Sequence, residues 1–206
     1  MKPSRRYIKD GELWKVCRKA PKKRRFYLLS DILIYASVLP TSGVLIHRII
    51  PLTEVRVEDR PDTDRYKNAF LIGSSKKSFI VYSESEEDKN DWLTNIRETV
   101  SQYKRDTRSF QVEVEEIEAE APIWEPDSAA NNCTLCKGEF SLLNRRHHCR
   151  MCGKLVCGNC SPHRVVLPNI DTTKQRVCVQ CFETINEKAK QDQQEKQNQG
   201  DQEKGV

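Results

Sequence analysis

Long apolar runs are missing from this chain. The longest, such as Ile32-Leu33-Ile34-Tyr35-Ala36, fall far short of the ~20 residues that a spanning helix needs. Hydrophobic residues fill 37% of the 206 positions, enough for small cores. No apolar signal run opens the chain at Met1-Lys2-Pro3-Ser4-Arg5-Arg6. A soluble or peripheral protein is therefore expected. The missing signal also bears on the nine cysteines. Disulfides persist in oxidising compartments, so the expectation is a reducing, cytosolic setting and no disulfide framework. Internal repeats are absent as well. The net charge is +5, which separates nothing by itself, since membrane surfaces and nucleic acids both attract cations.

What is present is a cysteine pattern. Eight of the nine cysteines fall in four equal pairs: Cys133 and Cys136, Cys149 and Cys152, Cys157 and Cys160, Cys178 and Cys181. Two thiolates three positions apart can turn onto one metal ion, and two such pairs close a tetrahedral zinc site. Four pairs make two sites, hence two Zn2+ ions. Both sites are closed, with no position left for water, so the zinc is structural and not catalytic. Spacing leaves open which pairs share an ion.

A length of 206 residues suits two modest domains. Short strand-like runs, rich in β-branched and aromatic residues, occupy 12–16, 25–29, 32–36, 44–50, 53–57, 69–72 and 78–82. Turn signals such as Pro40-Thr41-Ser42-Gly43 and Arg60-Pro61-Asp62 separate them. Seven short strands predict a small antiparallel barrel or sandwich. One helix follows. Ser83 and Glu86 have capping-box spacing, and Trp92, Leu93, Ile96, Val100 and Tyr103 form a single apolar stripe able to close an open barrel end.

Within the cysteine framework lies Arg145-Arg146-His147-His148-Cys149-Arg150, preceded by Trp124-Glu125-Pro126-Asp127 and followed by Arg176-Val177-Cys178. These residues resemble the three signatures of the FYVE zinc finger, WxxD, R(R/K)HHCR and RVC, over roughly residues 124–185. The resemblance implies a cross-brace: Cys133, Cys136, Cys157 and Cys160 hold the first zinc, and Cys149, Cys152, Cys178 and Cys181 the second. It also implies a ligand, phosphatidylinositol 3-phosphate on endosomal membranes. Arg145, Arg146, His147, His148, Arg150 and Arg176 then form the phosphate site, with Asp127 accepting bonds from inositol hydroxyls. With zinc and its thiolates counted, residues 124–182 are about neutral, so lipid binding must come from local focusing of the arginines. Guanidinium forks bind phosphate oxygens in pairs, which Lys cannot copy. Leu142 and Leu143 match the family's turret loop, which enters the bilayer. Phe140 is expected in the core. The arginines should hold the histidine pKa values down until phosphate binds, so affinity should rise as pH falls.

The first half is similar to a pleckstrin homology (PH) domain, through Gly11-Glu12-Leu13-Trp14-Lys15, Phe26-Tyr27-Leu28-Leu29-Ser30-Asp31 and Asp91-Trp92-Leu93. Residues 1–30 carry eleven Lys or Arg against two acids. By that resemblance Lys15, Lys23 and Arg25 are the candidates for phosphate binding, giving the PH domain a second phosphoinositide. Cys17 and His47 are expected to be structural.

The expected organisation is α+β in two small domains: a PH domain at 7–104, an acidic linker at 105–123, a FYVE-type finger at 124–185 and a polar disordered tail at 186–206. The tail could also be a frayed continuation of a helix begun near Phe182. The pairing resembles the small phafin-type adaptors and the C-terminal modules of faciogenital-dysplasia-class exchange factors. No exchange (DH) domain precedes the PH domain, so exchange activity is not expected. The implied function is a non-enzymatic adaptor at the cytoplasmic face of early endosomes or autophagic membranes. A RING-type ubiquitin ligase shares the eight-ligand plan but usually has a histidine ligand and lacks the basic hexapeptide. A nucleic-acid partner is not expected, because the finger lacks the interleaved aromatics of such surfaces.

Overall fold

The computed structural model describes residues 5–41, 43–108 and 121–202. Two compact units divide between Ser128 and Ala129. In the first, seven strands form one antiparallel sheet: β1 (Tyr7–Lys15), β2 (Lys22–Leu29), β3 (Ile32–Val38), β4 (Val44–Pro51), β5 (Arg56–Asp59), β6 (Ala69–Gly73) and β7 (Phe79–Tyr82). Their order is β4-β3-β2-β1-β7-β6-β5. Alternation sets the faces. Phe26 and Leu28 of β2 are buried while Arg25 and Tyr27 are half-buried, as period-two side chains require. Buried residues from each of β1, β2, β3, β4, β6 and β7, among them Leu13, Phe26, Leu33, Ile50, Phe70 and Phe79, join one cluster, so the sheet curls around its core. The pattern expected from the sequence is present at all seven positions. Strand β1 starts five residues earlier than expected and β5 three residues later, because residues 52–54 form a turn with Leu52 and Val55 buried beside it.

Helix α1 (Glu86–Arg108) closes the sheet. Its stripe is inward, with Trp92, Leu93 and Ile96 buried and Val100 and Tyr103 packed beside them. Trp92 meets Phe26 edge-on, with ring centroids 6.2 Å apart. It also lies against Gly11, where an added Cβ would stand 3.3 Å from the indole. The N-cap is Ser85, not Ser83: the Asp88 backbone N–H donates to Ser85 Oγ at 3.1 Å. Ser83 instead donates its hydroxyl to the Ser85 carbonyl. Two serines precede the acidic turn, and only the backbone geometry selects one. The helix also runs past residue 104, into the expected linker. The glutamate-rich stretch 111–120 lies outside the described residues. Ala121 donates its N–H to the Ser74 carbonyl, and Ile123 bridges Ser78.

The second unit has two short hairpins, β8 (His147–His148) with β9 (Leu155–Val156) and β10 (His163–Leu167) with β11 (Asp171–Val177). A helix, α2 (Val179–Gln202), follows. It runs on through residues 186–202, for which the sequence offered a disordered tail or the continuation of a helix begun near Phe182, and takes the second of these forms. The physical reason is propensity: Gln, Lys, Glu and Ala are good helix formers and extend a helix that is already nucleated. Phe182 and Ile185 anchor its start on the core, which is built largely of cysteine, Leu155, Val156 and Val177.

Candidate metal centres and basic site

Two groups of four cysteines converge, Cys133, Cys136, Cys157 and Cys160 in one and Cys149, Cys152, Cys178 and Cys181 in the other. Within each, the sulfurs lie within 4.8 Å of one another. A zinc–sulfur bond of ~2.3 Å in a tetrahedron sets sulfurs about 3.8 Å apart, and Cys136 Sγ lies 3.8 Å from Cys157 Sγ. The donor set and spacing therefore fit two zinc ions in the interleaved pairing.

The backbone prepares these sites. After each of two pairs the chain turns through positive φ, at Lys137 (60°) and Gly153 (79°). The N–H of each returns to the carbonyl of the first cysteine, Cys133 or Cys149. The Cys157 and Cys178 N–H groups donate to Cys133 Sγ and Cys149 Sγ at 3.3 Å, which favours thiolate. A hydrogen bond from the Cys152 thiol, opposed by burial and aided by backbone N–H groups, brings Cys149 down to about 4.

The basic hexapeptide forms β8 with its entry, Arg145 and Arg146, and its exit, Cys149 and Arg150. Arg150 donates its N–H to the Arg176 carbonyl at 2.8 Å, which sets β11 beside the hexapeptide. Arg176 Nη1 donates to the Ser161 carbonyl and hydroxyl at 2.5 and 3.2 Å, so its guanidinium is held in place. Arg150 Nη1 donates to the His148 carbonyl. Arg146 lies over the Phe140 ring at 5.0 Å. His148 is buried and His147 half-buried. Burial, then Arg176, Arg145, Arg150 and Arg164, holds His147 below the ordinary imidazole value. Arg164, opposite Arg176 across β10 and β11, was not predicted from the sequence. Its only sequence signal is a lone Arg in an apolar strand. Burial and this second arginine lower the pKa of Arg176.

The turret is an ordered turn. Ser141 and Asn144 bond to each other twice, through Ser141 N to Asn144 O and Asn144 N to Ser141 Oγ, both at 3.0 Å. Asn144 Nδ2 also donates to the Glu139 carbonyl. Leu142 and Leu143 stand at the tip, 92% and 99% exposed. Phe140 is core.

Asp127 belongs to the first unit, whereas the hexapeptide belongs to the second. Its N–H donates to the Arg18 carbonyl at 2.8 Å, and its carboxylate lies 3.4 Å from Arg18 Nε. Lys77 Nζ sits 5.7 Å from the Trp124 ring centroid.

The three PH candidates divide between two faces. Residues paired across β1 and β2 share a face. Leu13 pairs with Arg24 and Lys15 with Lys22, on the side of the buried Leu13. Lys23 and Arg25 point the other way. Lys23 pairs with Glu12 and Glu84 at 3.1 and 3.3 Å, and Arg25 Nε donates to Asp10 at 2.7 Å. Lys15 is buried, 4.4 Å from the Phe79 ring and 5.7 Å from Tyr35. Burial first, and then Lys77, Arg24 and Arg48 against a pull from Cys17, bring its ammonium down to about 8. The cations that accompany Lys15 are thus Arg24, Arg48 and Lys77. A motif offset by one residue hid Arg24, while Arg48 arrives from β4 and Lys77 from the turn between β6 and β7.

The FYVE zinc finger family model matches residues 123–187 and the PH domain model residues 7–101. Pleckstrin homology domain-containing family F member 2 of Gallus gallus is 38% identical over 186 residues, 89% of this chain and 73% of that protein. Family F member 1 of Homo sapiens is 39% identical over 200 residues, 96% of this chain and 70% of that protein. FYVE, RhoGEF and PH domain-containing protein 6 of Mus musculus is 33% identical over 197 residues, 90% of this chain but only 14% of its own length.

Proposed function

The chain belongs to the pleckstrin homology domain-containing family F, the phafin-type PH–FYVE proteins, and from that premise we propose that it is a non-enzymatic adaptor that binds phosphatidylinositol 3-phosphate on early endosomal and autophagic membranes. The observation that carries the reading is the turret. Two adjacent leucines stand almost fully exposed at the tip of a hydrogen-bonded turn, separated by Asn144 alone from the first arginine of the hexapeptide. Exposed leucines cost free energy in water, and each recovers about 1.5–3 kcal/mol on burial in lipid. The turn delivers them to the hydrocarbon while Arg145, Arg146, Arg150 and Arg176 meet the headgroup phosphates with paired N–H donors.

The eight cysteines hold two zincs, and the zincs supply rigidity: a unit of this size has little apolar core. Arg176, pinned on Ser161, loses little side-chain entropy when it meets phosphate. The PH domain contributes a second anionic-lipid contact through Lys15, Arg24, Arg48 and Lys77.

Liposome flotation with defined phosphoinositides tests the reading. Arg146→Ala is expected to abolish binding to phosphatidylinositol 3-phosphate vesicles while zinc content stays at two per chain. Unchanged flotation of the folded, zinc-loaded variant would remove the hexapeptide from the site.

A further inference from the structure

Apart from Tyr7 and Ile8 at the start of β1, the exposed large apolar residues described in the first unit gather on one hairpin. Val38, Leu39, Val44, Leu45 and Ile46 show between 41% and 58% of their surface. All five belong to one hairpin, β3 and β4, paired Ala36 to Ile46, Ser37 to Leu45 and Val38 to Val44. Leu39 N–H closes the turn on the Gly43 carbonyl at 2.8 Å. Successive strand residues point to opposite faces. Val44, Leu45 and Ile46 are consecutive and all exposed, so both faces of the ribbon are open. Beyond the buried Ala36 this end of the hairpin lies outside the core cluster, and its described exposed residues are apolar apart from Thr41.

Topology places a positive field at the same end of the sheet. Arg25 pairs with Ala36, so the start of β2 runs beside the end of β3. Val16 N–H donates to Ile80 O, so the turn before β7 adjoins the turn after β1. The three segments concerned, residues 13–25, 36–50 and 69–82, hold ten Lys or Arg and no Asp or Glu. His47 on β4 is held below its usual value, by burial first and then by Arg24, Lys15 and Lys22.

We propose that the β3–β4 hairpin is a second membrane-inserting element, whose Val38, Leu39, Val44, Leu45 and Ile46 enter the acyl region of an anionic bilayer while the cations of the neighbouring turns hold its headgroups. A protein partner would cover one face of a ribbon, or extend the open edge of β4 by strand pairing. A bilayer surrounds a projecting tip and buries both faces at once. Acids beside these segments take up Lys23 (Glu12 and Glu84), Arg25 (Asp10) and Arg18 (Asp127), and the surplus of cations that remains matches a surface of phosphates. The inference shares the membrane reading of the previous section but does not rest on the finger.

The experiment uses the full, zinc-loaded chain. Leu45→Trp is mixed with vesicles of phosphatidylcholine and phosphatidylserine, with and without phosphatidylinositol 3-phosphate. The acyl chains of a second set carry bromine. The added emission is expected to shift blue and to be quenched by the brominated chains, relative to wild type. Leu45→Ser with Ile46→Ser is expected to lower partitioning onto both vesicle types by ~10-fold or more. Zinc content and binding of a soluble headgroup should not change. The proposal is overturned if the bound chain shows no quenching at position 45, or if the double serine variant partitions like wild type. Loss of self-association in the double variant without loss of vesicle binding would likewise overturn it, in favour of a second copy of the chain. Arg146→Ala in the Leu45→Trp background separates the two readings. Quenching that persists on phosphatidylserine vesicles supports the hairpin whatever becomes of the finger.

Discussion

At the scale of single residues, Lys15 shows how position changes chemistry. Its ammonium is buried against Phe79 and Tyr35. Burial disfavours the charged form, and the value falls from 10.5 to about 8. The unfolded chain therefore binds more protons than the folded one between pH 8 and 10.5. Stability rises with pH across that window, and below it the full penalty stands. That penalty is roughly 3 kcal/mol as an upper figure, at 1.36 kcal/mol per pKa unit. Lys15→Met is expected to raise the stability of the first unit at pH 7 by ~1–3 kcal/mol and to flatten its rise between pH 8 and 10.5. Denaturant unfolding at pH 7 and pH 10 measures both. A variant as stable as wild type at each pH would show that the buried charge costs nothing. Arg164 makes the corresponding case in the finger. It faces Arg176 from the next strand, so Arg164→Gln should weaken binding to phosphatidylinositol 3-phosphate vesicles several-fold through one lost charge-assisted contact. An undiminished affinity would mean that Arg164 only faces solvent.

At the scale of elements, the turret and α1 divide the work of apolar residues in opposite ways. Leu142 and Leu143 are held out by the Ser141–Asn144 turn. Leu142→Ala with Leu143→Ala should weaken vesicle binding far more than binding to a soluble headgroup, and flotation alongside calorimetry with the headgroup separates the two. Equal losses for both ligands would mean that the leucines shape the pocket. In α1 the stripe goes inward, and Trp92 touches both Phe26 and Gly11. Trp92→Ala should cost ~3–5 kcal/mol in the first unit, the range for truncating a large core aromatic. A loss below ~1 kcal/mol would mean that the core collapses onto the gap.

At the scale of the whole molecule, the two units draw stability from different sources. The first has a core of fifteen buried residues, aromatic and aliphatic. Five of the nine buried members of the second unit's core are not cysteines, and the other four are zinc-binding thiolates. Chelation should therefore unfold the second unit and leave the first folded. Circular dichroism and near-ultraviolet tryptophan signals, followed with metal analysis, distinguish this from a single joint transition. Fewer than two zincs per folded chain would contradict the pairing of the cysteines.

The sequence by itself determined what depends on contiguous residues or on fixed spacing. The hexapeptide needs its arginines and histidines in one run, and each cysteine pair needs two thiolates one knuckle apart. Seven strands followed by a striped helix were likewise legible, because burial imposes a period on each segment separately. Tertiary structure alone decided what depends on register and on packing between distant segments. Arg24 rather than Arg25 shares the face of Lys15, because a shift of one residue in a strand reverses the face. Arg48 and Arg164 joined their clusters from other strands and Lys77 from the β6–β7 turn, which no local pattern reports. Ser85 rather than Ser83 caps α1, because both can accept a backbone N–H and only the position of the first turn chooses. The β3–β4 tip read in sequence as ordinary strand, since Val, Leu and Ile there look like core. Its exposure follows from the hairpin running past the end of the sheet that would have covered it.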